Sequence, residues 1–148
     1  MKGTAKARSA ARLAAVQALY QLDMEAPALT KLLDEFHRHR LGAEIEGDQY
    51  VAAEVAFFDD VVQGVAARRD EIDELISSKL AQGWKIERLD KTMLQVLRAG
   101  TFELLARADV PTASAITEYV DVAHAFFEAR EAKFVNGVLD AVAKVVRS

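Results

Sequence analysis

Cysteine is absent from all 148 residues, which excludes a disulfide framework, a thiolate nucleophile, an iron–sulfur cluster and a cysteine-ligated zinc site. Two prolines and seven glycines are too few for a collagenous or low-complexity chain. No apolar run approaches the ~18 residues of a membrane helix, and the first residues lack the apolar core of a secretory signal. The expectation is a soluble, cytoplasmic protein without a membrane partner. No glycine pair stands at phosphate-loop spacing before Lys-Ser or Lys-Thr, and no dinucleotide glycine fingerprint occurs, which argues against ATP and NAD chemistry. What remains is 51% hydrophobic and 28% charged, an ordinary globular composition. A chain of this length buries about 70% of its unfolded surface and folds as a single domain spanning 1–148.

Acidic residues are missing from the start. The first is Asp23, so Lys2, Lys6, Arg8 and Arg12 give the first 22 residues +4, and with −4 overall the rest carries −8. A basic, partly flexible head at 1–12 on an acidic body suits a local contact with an anion and argues against a protein that coats nucleic acid over its whole surface.

Hydrophobic periodicity predicts helices nearly everywhere. Leu13, Val16, Leu19 and Tyr20 recur at helical spacing and predict a first helix over 7–24, closed by Pro27. Leu29, Leu32, Leu33 and Phe36 predict a short helix over 28–40, followed by a loop between Gly42 and Gly47 with Asp48 as the next cap. Val51, Val55, Phe58, Val62 and Val65 step by four and three onto one stripe, and Ile72, Leu75, Ile76 and Leu80 continue the pattern. After Gly83 and Trp84, Leu89, Met93, Leu97 and Leu104 predict a long helix ending near Ala108, before Pro111. Ile116, Val120, Ala123 and Phe127 define one more helix, and Val135, Val138, Val142 and Val145 the last. No segment alternates like a strand. The fold class is all-α, about seven helices in a compact bundle, with close helix packing as the expected reason for Gly64, Gly100 and Gly137.

Catalytic constellations are wanting. His37 and His39 are two apart and point to different helix faces, and His124 lies alone, far from both in sequence, so none forms a metal pair. All three read as solvated. Asp59 with Asp60, and Asp70 with Glu71, Asp73 and Glu74, allow an acid–base or magnesium reading. Carboxylates in the first turn of a helix complement its dipole, and solvated caps are the better account. The expectation is a protein without cofactor or metal, and not an enzyme.

Two surfaces are candidates for anion binding. The basic head reads as a phosphate contact, a solvated terminus, a membrane-surface helix or a transit segment. Arg130, Lys133 and Phe134 cluster at the start of the last helix, where cations beside an aromatic ring suit single-stranded RNA, against the plain alternative of a core phenylalanine.

Four strings carry a resemblance: A-V-Q-A-L-Y at 15–20, L-R-A-G-T-F-E-L at 97–104, D-V-P at 109–111 and K-F-V-N-G-V-L-D at 133–140. Their order and spacing over essentially the whole chain resemble the bacterial NusB family of transcription antitermination proteins. The resemblance implies two small helical subdomains. It also implies binding of boxA-type RNA from ribosomal RNA leaders together with the ribosomal protein NusE, so that RNA polymerase keeps elongating. Carried over residue by residue, it places the RNA path at Lys2, Lys6, Arg8 and Arg12, at Gln17 and Tyr20, and at Lys133 and Phe134. It leaves Asn136 bonding locally near its helix start and Gly137 packing closely.

Departures from the family pattern are equally specific. Alanines and Ser9 separate the basic residues that family members often carry in one run. Phe102 replaces a common tyrosine, Phe127 stands where glycine is usual, and Arg130 stands where an acid is frequent. Arg130 either meets a phosphate or pairs with Glu128 or Glu131, a surface pair worth at most about 1 kcal/mol. The resemblance admits monomers and homodimers. Competing readings are a helical protein-interaction scaffold and an accessory ribosomal-RNA-binding domain.

Overall fold

The computed structural model describes the backbone of residues 2–39 and 48–147, and the side chains of 6–39 and 54–147. The expected loop at Gly42 and Gly47, the capping side chain of Asp48 and the side chains of Lys2 and Val51 lie outside the described residues. Among those described there are seven α-helices and no strand: α1 (Lys2–Glu25), α2 (Leu29–His39), α3 (Asp48–Ala67), α4 (Arg69–Lys79), α5 (Lys91–Ala106), α6 (Thr112–Phe126) and α7 (Ala129–Val146). A 3₁₀ turn at Ile86–Arg88 precedes α5. None of these helices is long and apolar enough to cross a membrane. The chain divides into two compact units, residues 1–64 and 65–148.

In the first unit α1 begins at Lys2, five residues before its expected start, so residues 2–12 of the expected flexible head are helical. Alanine, the strongest helix former, supplies most of its buried face through Ala7, Ala11, Ala14, Ala15 and Ala18, beside Val16 and Leu19. From α2, Leu32, Leu33 and Phe36 are buried, and the Phe36 ring stacks on Phe58 of α3 at 5.4 Å. Two sequence expectations are corrected next to that stack. His37 is half-buried rather than solvated; its Nε2 lies 2.6 Å from Asp59 Oδ1, and its ring sits edge-on to Phe58. Asp59 is therefore a tie between α2 and α3, not a solvated carboxylate.

The second unit is built around α5, whose residues 93–104 are all buried, with α4, α6 and α7 packed on it. The sequence pattern predicts one apolar face, yet a helix enclosed on every side must satisfy its polar residues internally. It does so for its charged residues through neighbouring helices, while the buried Thr101 Oγ1 has no hydrogen-bond partner among the described residues. Arg98 donates from Nε and Nη2 to the two carboxylate oxygens of Asp73 on α4, 2.8 Å each, and from Nη1 to Gln95. Asp73 is thus a partner of a buried cation, correcting its reading as a solvated cap. The buried Glu103 carboxylate accepts the Tyr119 hydroxyl from α6. Asp90 caps the start of α5 by accepting from the N–H groups of Thr92 and Met93.

At the other end of α5, Arg147 does what no pattern in the sequence announces. Its guanidinium donates to the carbonyls of Glu103, Leu104, Arg107 and Val110 and to Thr112 Oγ1. The orphan carbonyls of a helix C-terminus and their partial negative charge are met by one cation.

Glycine marks two different situations. A Cβ on Gly100 would lie 2.8 Å from Leu139 Cδ1 and 3.4 Å from Tyr119 Cδ2, the close approach that the sequence predicts. We expect Gly100→Ala to be near neutral, since the Leu139 tip can shift and alanine gains about 1 kcal/mol of helix propensity. Gly100→Val overpacks the junction and should cost about 2–3 kcal/mol in urea unfolding. A valine variant as stable as the parent would show that α5 and α7 are not in tight contact there. Gly137 contradicts the same expectation, because it is exposed and a Cβ there meets nothing within 4 Å. Val145 is also corrected: it is 50% exposed, while Val135, Val138 and Val142 are buried.

Candidate nucleic-acid interface

The residues expected at an RNA surface fall on two helices, α1 in the first unit and α7 in the second. On α1 they do not share a face. Lys6, Gln17 and Tyr20 belong to a stripe at three- and four-residue spacing that also holds Ala10, Leu13 and Met24, and none of its members is buried. Tyr20 is 40% exposed and Lys6 is exposed.

Arg8 and Arg12 point the other way, each with its guanidinium carbon 4.8 Å from the centroid of the Phe57 ring on α3. Arg12 is only 4% exposed and Arg8 is half-buried. Two arginines presented to solvent are therefore not what the fold provides; the correction is that Arg12 is enclosed. Glu54 is also buried and stands one turn before Phe57 on the same face of α3. A buried cation needs a compensating charge or a ring face, and this corner of α3 has both kinds of group.

On α7 a second exposed stripe runs through Arg130, Lys133, Phe134 and Gly137. Phe134 is 37% exposed, so it is not the core phenylalanine of the plain alternative. Its ring lines an apolar hollow of about 540 Å³ with Trp84, Arg88, Leu89, Asp90, Met93, Arg130 and Glu131. Trp84 reaches it from a tight turn closed by its own N–H donating to the Ala81 carbonyl, with Gly83 at φ +90. Only glycine takes that conformation without strain, and the turn leaves the indole 58% exposed. Lys133, although adjacent in sequence, lines a different hollow of about 350 Å³ between α6 and α7, with Thr117, Val120, His124, Ala129, Ala132 and Asn136. Asn136 is two turns into α7, not near its start, and is exposed.

The carboxylates of the Phe134 hollow are engaged by the backbone. Asp90 caps α5, and Glu131 closes a capping box at the start of α7, accepting from the Glu128 N–H while the Glu128 side chain accepts from the N3 backbone. Desolvation acts to raise the pKa of Glu131, but hydrogen bonds from its own N–H, Arg130 and the Glu128 N–H outweigh it and hold the carboxyl below its usual value. Of the two partners foreseen for Arg130, Glu131 is the one engaged, at 3.3 Å, with Arg130 itself 93% exposed. Trp84, Arg88, His124 and Asn136 line these hollows without having been expected at a binding surface; for Trp84 the available signal was a tryptophan beside a lone glycine in a turn.

A sequence model of the NusB family matches residues 9–144 of the chain. The chain is similar to the transcription antitermination protein NusB of Novosphingobium aromaticivorans, 73% identical over 142 residues and covering 96% of each chain. Among solved structures it resembles NusB of T. maritima at a TM-score of 0.77 and 31% identity, over 93% of this chain and 90% of that one. It also resembles a chain from a crystal structure of the antitermination factors NusB and NusE in complex with dsRNA, at a TM-score of 0.77 and 26% identity, over 95% and 98% of the two chains.

Proposed function

The chain belongs to the NusB family of transcription antitermination proteins, and on that footing we propose that it binds boxA-type single-stranded RNA of ribosomal RNA leaders together with the ribosomal protein NusE. The bound assembly acts in the cytoplasm and keeps RNA polymerase elongating. The role is non-catalytic. The observation that carries it is the exposed stripe of α7, where Phe134 faces a hollow shared with Trp84, Arg88 and Arg130. Aromatic faces accept bases of any sequence and cations accept phosphates, the combination that single-stranded RNA requires. Lys2, Lys6, Gln17 and Tyr20 supply the contribution of α1. Arg8 and Arg12 act mainly by fixing that helix against Phe57, with the outer edge of Arg8 reaching a phosphate.

The experiment is a fluorescence anisotropy titration of labelled boxA-like RNA and a scrambled RNA, with the protein alone and with equimolar NusE. Three or four neutralised phosphates on a single strand predict about 20- to 50-fold weaker binding between 50 and 200 mM salt. Selective binding that NusE tightens supports the role. A flat salt response, or equal affinity for both RNAs with NusE present, overturns it. Lys6→Glu is the informative charge reversal on α1, because reversal at Arg12 would bury an unpaired anion and perturb the fold.

A further inference from the structure

Gly137 is hard to explain by the fold. It lies in the ninth position of an 18-residue helix, is exposed, and a Cβ built on it meets nothing within 4 Å. Glycine in an exposed helix interior is destabilising relative to alanine, and no neighbour among the described residues requires its bare backbone. Its place on α7 supplies a reason. At 100° per residue, Gly137 falls between Lys133 on one side and Arg130 and Phe134 on the other. Lys133 and Asn136 line the hollow against α6, whereas Arg130 and Phe134 line the hollow shared with Trp84 and Arg88. Gly137 is therefore the ridge between the two hollows, and it is the lowest ridge a polypeptide can offer.

We infer that Gly137 is the crossing point at which a single RNA strand passes over α7, with one nucleotide seated against Phe134 and Trp84 and its neighbour against Lys133 and Asn136. This rests on the RNA reading of the preceding subsection and adds to it the course of the strand. The sugar–phosphate backbone approaches the helix surface closest where no side chain stands, which is the use of glycine wherever a backbone and a ligand must come close. Arg130 and Lys133 flank the crossing, one toward each hollow, and meet the phosphates on either side. Of the carboxylates at this rim, Asp90 is turned to backbone N–H groups as a helix cap, and Glu131 accepts from the Glu128 N–H and pairs with the 93% exposed Arg130, a weak surface pair that a phosphate can replace. An anionic strand is the occupant this arrangement suits.

The test compares Gly137→Ala and Gly137→Gln with the parent in thermal unfolding and in binding of the labelled boxA-like RNA. Both replacements should raise Tm, by about 3 °C for alanine. RNA affinity should fall about threefold for alanine and more than tenfold for glutamine, whose side chain stands across the path. Glutamine variant binding at parental affinity overturns the crossing. So does a fall in Tm for the alanine variant, which would return the glycine to the fold. Loss of NusE binding with RNA binding intact would assign the ridge to the protein partner and likewise overturn it. The Lys133→Glu, Phe134→Ala double variant separates the two levels: if it too binds RNA normally, the whole RNA reading of α7 falls, and the crossing with it.

Discussion

Arg98→Met is expected to destabilise the protein by about 3 kcal/mol, the lower end of the range for breaking a buried ion pair. The guanidinium is 5% exposed and grips both oxygens of Asp73 at 2.8 Å, while Asp73 keeps 24% of its side-chain surface. Removing the cation takes two 2.8 Å hydrogen bonds from Asp73, whose other cation, Arg69, stands farther off at 3.9 Å, and the residual exposure of Asp73 lets water recover part of the loss. Unfolding in urea should show a lower midpoint at an unchanged slope. The second substitution decides the mechanism. If the cost comes from the stranded carboxylate, Arg98→Met combined with Asp73→Leu should recover more than half of it, because two apolar side chains of similar volume remove both charges at once. A single variant within about 1 kcal/mol of the parent would mean that the pair is solvated rather than buried.

That pair shows where the sequence is readable and where it is not. Period and spacing reveal each helix, because a buried stripe repeats locally at three and four residues, as in Phe58, Val62 and Val65. Long-range polar pairing has no local period. Asp73 looks like one more acid near the start of α4, and only the packing of α5 turns it into a partner for Arg98, 25 residues on. His37 with Asp59, and Arg147 with the end of α5, are illegible for the same reason. Helix starts fail differently: residues 2–6, Lys-Gly-Thr-Ala-Lys, extend α1 without the apolar residue on which a periodicity argument depends.

The candidate site divides along the same line. Charge asymmetry locates the basic head, yet net charge says nothing about facing, and Arg8 and Arg12 turn out to address Phe57 while Lys6 addresses solvent. Lys133 and Phe134 are legible as a cation beside an aromatic ring. Their separation into two hollows follows from the 100° between neighbouring helix positions and from what α6 and the Trp84 turn place beside each.

The Lys133→Glu, Phe134→Ala double variant should bind boxA-like RNA about 100-fold more weakly while remaining folded. Base–aromatic stacking contributes about 1–3 kcal/mol per base, so losing the Phe134 face alone lowers affinity by roughly 5- to 150-fold. Reversing Lys133 removes one phosphate contact and reduces the salt slope by about 0.7. Both side chains are exposed, which keeps the expected change in folding stability below about 1 kcal/mol. The two single variants make the assignment specific: Phe134→Ala should change affinity at constant salt slope, and Lys133→Glu should change the slope. Because the two residues line different hollows, their free-energy effects should add within about 0.5 kcal/mol. Strong non-additivity would place both on one nucleotide, and a double variant within threefold of the parent would remove α7 from the RNA surface altogether.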